Sequence, residues 1–171
     1  MSDPSRWLLE NIDLVARDEL VLDVATGDGR NALYLAAHGW RVHAVDRNQD
    51  ALAALDAHAR SLDDRVETRW VDLEDGKVDL GVNLYGTILV FRYLYRPLLP
   101  ALVAALKPGG VLLYETFTIG QRERGHPRNP AFLLGNGELP LLVAPLQVVR
   151  RREGDFSGSL VASVAAQKHL P

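Results

Sequence analysis

The residues of this 171-residue chain best suited to chemistry are Asp23-Val24-Ala25-Thr26-Gly27-Asp28-Gly29. A short apolar run precedes them and an amphipathic run starting at Arg30 follows. Glycines between a strand and a helix let the chain turn tightly and bring its backbone close to a ligand. The helix N-terminus behind them offers unpaired N–H groups and a positive dipole end. Asp46 closes the next apolar run, nineteen positions after Gly27. A carboxylate at that point can accept both hydroxyls of a ribose. The constellation points to a ligand built on a nucleoside.

Two ligand classes fit. Gly27-x-Gly29-x-x-Ala32 matches the relaxed dinucleotide fingerprint, which admits a nicotinamide or flavin. S-adenosylmethionine is the other. Asp23 favours it, because a pyrophosphate gains nothing from a carboxylate two residues before Ala25, whereas an α-ammonium group and a sulfonium do. Length argues the same way. A dehydrogenase usually needs a substrate domain beside its nucleotide-binding half, and 171 residues leave little for one.

The elements that must position these groups read off the hydrophobic pattern. Trp7 to Ala16 predicts a helix within an N-terminal segment 1–18, with Ser5 as its N-cap. Strands are predicted over Leu20–Ala25, Arg41–Asp46, Val66–Val71, Thr87–Phe91 and Val111–Thr116. Helices are predicted over Arg30–His38, Gln49–Arg60 and Pro97–Leu106, and Lys107-Pro108-Gly109-Gly110 as a sharp turn. Residues Ile119 to Gly137 read as a loop, and Glu138 to Ala144 as a short helix. Leu146–Arg151 and Leu160–Gln167 read as closing strands, with Glu153-Gly154-Asp155 starting the link between them. Strand–helix alternation implies parallel strands with right-handed crossovers. The expected fold is α/β: a Rossmann-like, doubly wound, mostly parallel sheet of seven strands with a C-terminal antiparallel hairpin, in one domain spanning 1–171.

Ligands of such sheets lie at the carboxyl ends of the strands. The second reactant is therefore expected near Phe91-Arg92-Tyr93-Leu94-Tyr95-Arg96 and Glu115-Thr116-Phe117-Thr118. Arg92, Arg122, Arg124 and Arg128, with His126, can surround an oxyanion or carboxylate. Glu115 or His126 can accept a proton, and Tyr93 and Tyr95 can wall a pocket. The segment 119–137 can fold over the site as a lid. The competing reading is a solvated basic loop whose arginines pair with Glu115.

Together these residues resemble the class I S-adenosylmethionine-dependent methyltransferases. Asp23-x-Ala25-x-Gly27-x-Gly29 resembles that family's first motif, with Ala25 in place of the first of three glycines. Asp46 matches its ribose-binding acid, Asp72 its adenine-side position, and Lys107-Pro108-Gly109-Gly110 its turn before the fifth strand. Gly29-Arg30-Asn31-Ala32-Leu33-Tyr34-Leu35-Ala36 and Val42-His43-Ala44-Val45-Asp46-Arg47-Asn48 resemble the tellurite-resistance, TehB-like members. That closer similarity lies in the cofactor half. The resemblance implies cofactor contacts at Asp23, Ala25, Gly27, Gly29, Arg30, Asp46, Arg47, Asp72, Leu73 and Val90, with S-adenosylhomocysteine as product. The acceptor-side candidates are Arg92, Glu115 and His126.

Composition narrows the chemistry further. With no cysteine, disulfides, thiolate-bound zinc and a Cys nucleophile for pyrimidine methylation are excluded. Five dispersed histidines without i, i+4 spacing argue against a metal centre. Phe91-Arg92-Tyr93-Leu94 is not the Asp/Asn-Pro-Pro-Tyr/Phe pattern of base amine methylation, and three scattered lysines do not supply a ribose-methylating tetrad. Net charge is −3, but residues 1–90 hold nine basic and seventeen acidic groups, and residues 91–171 ten and five. No signal pattern or membrane-length apolar run is present, so a cytoplasmic protein is expected. The leading expectation is methyl transfer to a small, anionic acceptor by a monomer or homodimer. The alternatives are methylation of RNA or protein, a non-catalytic S-adenosylmethionine-binding protein, and a nicotinamide oxidoreductase.

Overall fold

A computed structural model describes residues 2–171. Seven strands form one sheet in the order β3-β2-β1-β4-β5-β7-β6. They are β1 (Val21–Val24), β2 (Val42–Asp46), β3 (Val66–Trp70), β4 (Tyr85–Phe91), β5 (Leu106–Phe117), β6 (Gln147–Phe156) and β7 (Ser159–Gln167). The first five pair in parallel, while β7 inserts antiparallel between β5 and β6. The helices are α1 (Arg6–Glu10), α2 (Arg30–Ala37), α3 (Gln49–Ala59), α4 (Leu99–Ala105) and α5 (Glu138–Leu142). The chain turns outward in opposite directions from β1 and β4, which places a crevice between their carboxyl ends.

The sheet is covered on both faces, so its central strands are continuous apolar runs. Side chains alternate between two cores. Leu22, Val24, Ile88, Val90, Leu112 and Tyr114 face one of them, with Leu102 of α4 and Leu139 of α5. Val21, Leu89, Phe91, Val111 and Leu113 face the other, with Trp7 and Leu8 of α1, Leu33 and Leu35 of α2 and Leu55 of α3. This period of two puts Asp23 on the α2 side of β1, beside the glycine turn.

Several boundaries differ from the sequence pattern. The helix expected over Trp7–Ala16 is broken: α1 ends at Glu10, and a 3-10 turn covers Ile12–Leu14. The Asn11 side chain donates to Trp7 O at 2.8 Å, a local bond that competes with helical continuation. Ser5 does precede α1, but its side chain makes no cap; its N–H donates instead to Asn31 Oδ1 at 2.8 Å. Lys107–Gly110 lies inside β5, because Gly109 N–H bonds Lys168 O and Lys168 N–H bonds Gly110 O. Glu153, Gly154 and Asp155 belong to β6, paired with Ala162, Val161 and Leu160, so the reversal falls at Ser157 and Gly158. Within 119–137, 3-10 turns cover Ile119–Glu123 and Pro130–Phe132. The base of that segment is closed by Ile119 N–H to Leu134 O and Leu134 N–H to Phe117 O.

Candidate active site

At the end of β1 the backbone enters the left-handed region at Ala25 (φ 53), Gly27 (φ 58) and Gly29 (φ 73). Gly29 then starts α2 without a side-chain cap of its own, and the first helical amide, Arg30 N–H, donates to Asp28 Oδ1 at 3.3 Å. A Cβ at Gly27 would meet no protein atom within 4 Å, whereas one at Gly29 would sit 2.4 Å from Leu55 Cδ1. The open space therefore lies beside Gly27, and Gly29 is needed for packing on α3. Gly27 N–H donates to Asp46 Oδ2 at 2.9 Å. The other oxygen, Oδ1, accepts Asn48 N–H at 2.9 Å. Asp46 thus holds the turn in shape from the end of β2.

Asp23 is 2% exposed and accepts Thr26 Oγ1–H at 2.6 Å. Burial is the main cause that pushes its carboxyl up to about 7, against the Thr26 bond, the Ala32 backbone N–H and the Arg30 charge. A buried carboxyl of this kind suits a cationic ligand group, since a bound ammonium would stabilise its ionised form. Asp23, Ala25, Thr26, Gly27, Arg30 and Arg92 are among the residues lining one cavity of about 390 Å³. Ala25, Asp46, Arg47, Asp72, Leu73 and Tyr93 are among those lining a neighbouring cavity of about 190 Å³. The two meet at Ala25. The chain thus brings eight of the ten expected cofactor residues to these two cavities. Gly29, set against Leu55, lines neither, and the Val90 side chain is fully buried in the α4-side core.

Two further cavities adjoin on the β4 and β5 side. One, of about 340 Å³, is walled by Arg30, Arg92, Glu115, Arg152, Phe156 and the N-terminal segment Asp3 to Arg6. The other, of about 350 Å³, is lined mainly by Tyr93, Leu94, Phe117, Pro127 and Phe132, with Arg47, Glu74 and Arg92 at its rim. Arg92 has φ 57, an uncommon conformation for a side-chain-bearing residue, and its N–H bonds Glu115 O at 2.9 Å. Among the described residues neither Arg92 nor Arg30 has a carboxylate within ion-pair distance.

Glu115 is held differently. Its Oε2 accepts Ser163 Oγ–H and, at 3.2 Å, Arg152 Nη2–H. The register explains this: Phe91 faces Glu115 across β4 and β5, Glu115 faces Ser163 across β5 and β7, and Ser163 faces Arg152 across β7 and β6. Arg152 also pairs with Glu10 at 2.7 Å and lies over the Trp7 and Phe156 rings, 4.7 and 4.1 Å from their centroids. The basic loop does not converge on an anion. Arg122 pairs with Glu123 and Arg124 with Asp155, while Arg128 donates to Gly125 O. His126 is exposed and lines none of the four cavities, because the loop carries it outward. Sequence reading missed Arg152 and the N-terminal segment, and singled out neither Pro127 nor Phe132 within the segment 119–137 that it expected over the site. Phe132, the aromatic of the apolar run Pro130-Ala131-Phe132-Leu133-Leu134, was the one visible signal among them.

This fold is shared with solved proteins. A S-adenosylmethionine-dependent methyltransferase from Methanosarcina mazei matches with a TM-score of 0.77 at 18% identity, over 99% of this chain and 100% of that one. The crystal structure of TehB from Haemophilus influenzae matches with a TM-score of 0.77 at 19% identity, over 94% of this chain and 61% of that one. The fold class is that of the S-adenosylmethionine-dependent methyltransferases. In sequence, the Haemophilus influenzae protein named "Probable S-adenosyl-L-methionine-dependent methyltransferase TehB" is 28% identical over 87 residues, covering 51% of this chain and 30% of that protein. The chain belongs to the family described as Tellurite resistance protein TehB, which matches residues 8–114. It spans under a third of the length of the curated relatives it matches. Among the described residues no helix is long and apolar enough to cross a membrane.

Proposed function

We propose that this chain binds S-adenosylmethionine across the ends of β1 and β2 and transfers its methyl group to a small, anionic acceptor. The observation that carries the reading is the meeting of two cavities at Ala25, one holding buried Asp23 and the other Asp46 and Asp72. In this reading Asp23 faces the ammonium group, Gly27 gives backbone access, Asp46 takes the ribose and Asp72 lies at the adenine. The sulfonium supplies an already activated methyl carbon, so in-line alignment is the protein's main task. Arg92 and Arg30 supply positive charge where the acceptor enters. The segment 119–137 contributes Pro127 and Phe132 as a lid over the apolar cavity.

Methylation of RNA is the weaker reading. The basic run Arg150-Arg151-Arg152 on β6 is largely neutralised, Arg150 by Asp13 and Arg152 by Glu10 and Glu115. Parallel calorimetric titrations with S-adenosylmethionine, S-adenosylhomocysteine and NADH test the cofactor. Micromolar binding of both adenosyl compounds, without binding of NADH, is the expected result. Binding of NADH alone would move the chain to the oxidoreductases, and adenosyl binding without turnover on any acceptor would make it a sensor.

A further inference from the structure

Arg92 alone among the described residues borders the Asp23 cavity and both acceptor-side cavities. Arg92 thus stands where an acceptor in either cavity adjoins the Asp23 cavity. That guanidinium has no carboxylate partner among the described residues. On one side of it the wall carries Arg30, which has no carboxylate partner among the described residues, beside Arg6 and Arg152, which pair with Glu10 and Glu115. On the other side lies an apolar wall of Tyr93, Leu94, Phe117, Pro127 and Phe132. Phe132 is 50% exposed at the edge of that wall.

Two of the carboxylates beside Arg92 already carry hydrogen-bond partners. Glu115 Oε2 accepts from Arg152 and from Ser163. Glu74 accepts the Tyr93 hydroxyl at 3.2 Å, and burial raises the pKa of that phenol, so it stays protonated. A hydroxyl or ammonium acceptor would need a base to take its proton. An acceptor that is ionised at neutral pH would not.

We propose, resting on the methyltransferase reading above, that the acceptor is an amphipathic carboxylate and that its ionised oxygen is the atom methylated. Arg92 holds the carboxylate at the junction, and the apolar remainder lies against Tyr93, Phe117, Pro127 and Phe132. The step balances without a proton. One carboxylate oxygen forms a bond to the methyl carbon, the carbon–sulfur bond breaks, and its electron pair returns to sulfur. The products are a neutral methyl ester and S-adenosylhomocysteine. A carboxylic acid with a pKa near ~4 is already the nucleophile at pH 7.

The test is calorimetry on protein saturated with S-adenosylhomocysteine, using 3-phenylpropionate, its neutral amide 3-phenylpropionamide, and acetate. The phenylpropionate is expected to bind at least tenfold tighter than either of the others. Arg92→Ala and the gentler Arg92→Gln should abolish the preference over the amide, and Phe132→Ala the preference over acetate. With S-adenosylmethionine present, the methyl group should be recovered as an ester that releases methanol in alkali. Equal binding of acid and amide, unchanged binding in both Arg92 variants, or an alkali-stable product such as a methylated oxyanion of tellurium or selenium would overturn the proposal. Adenosyl binding without carboxylate binding overturns this inference and leaves the methyltransferase reading standing. Failure of adenosyl binding overturns both.

Discussion

The backbone N–H of Gly27 donates to Asp46 Oδ2 at 2.9 Å, joining the turn after β1 to the end of β2. The same carboxylate receives Asn48 N–H through its other oxygen. Asp46 therefore shapes the glycine turn before any ligand arrives. Asp46→Ala is expected to weaken S-adenosylhomocysteine binding by about 1.5–3 kcal/mol through loss of charge-assisted hydrogen bonds. It should also lower Tm in the ligand-free protein. Calorimetry and thermal melting read the two effects separately, and an unchanged affinity in a folded variant would remove Asp46 from the site.

The two glycines of the turn should respond differently to the same change. Gly27→Ala places a methyl group in open space, at φ 58. Its cost to folding is the left-handed backbone alone, about 1–2 kcal/mol, while ligand affinity should fall at least tenfold. Gly29→Ala drives a methyl group into Leu55 at φ 73. Its cost to folding should reach about 2–4 kcal/mol, because steric strain adds to the backbone term. Urea unfolding paired with adenosyl titration distinguishes them, and equal stability of the two variants would contradict the packing described.

Asp23 makes both stability and binding depend on pH. The folded carboxyl titrates at about 7, against an ordinary 3.8. Between those values the native state binds more protons than the unfolded one, so stability falls as pH rises through that window. Ligand affinity runs the other way. An ammonium group favours the carboxylate, so S-adenosylmethionine should bind up to about tenfold more weakly for each pH unit below 7. Binding near pH 6 should release a proton, seen as a calorimetric enthalpy that varies with the buffer. Asp23→Asn should remove both pH dependences, and their persistence would assign them to another group.

Arg152 ties the closing hairpin to the N-terminal helix through Glu10, Glu115, Trp7 and Phe156. Its side chain is 15% exposed and that of Glu115 17%. Arg152→Ala strands Glu115 in a partly buried place and removes packing from two rings. A loss of about 2–4 kcal/mol in unfolding free energy is expected. Arg151→Ala, one position away on the same strand and without a carboxylate partner among the described residues, should change stability by less than about 0.5 kcal/mol. Comparable losses in the two would show that the pairing across the hairpin contributes nothing.

The cofactor end was legible in the sequence because its determinants are local. Asp23, Gly27, Gly29 and Asp46 sit at the ends of consecutive parallel strands, where hydrophobic period and turn residues set direction and neighbour together. A strand–turn–helix that carries its ligand groups on its own backbone needs no distant partner to place them. The acceptor end had no such code. Arg150, Arg151 and Arg152 read as one charged run, and only the register of β6 on β7 and of β7 on β5 sets Arg152 beside Ser163 and Ser163 beside Glu115. A shift of one residue would have turned every one of these side chains to the opposite face. Register between strands far apart in the chain is fixed by packing of the whole sheet. For that reason the sequence determined by itself the fold class and the residues gathered at the ends of β1 and β2, while the tertiary structure alone decided that Glu115 is engaged, that His126 is exposed, and that Arg92 stands where three cavities meet.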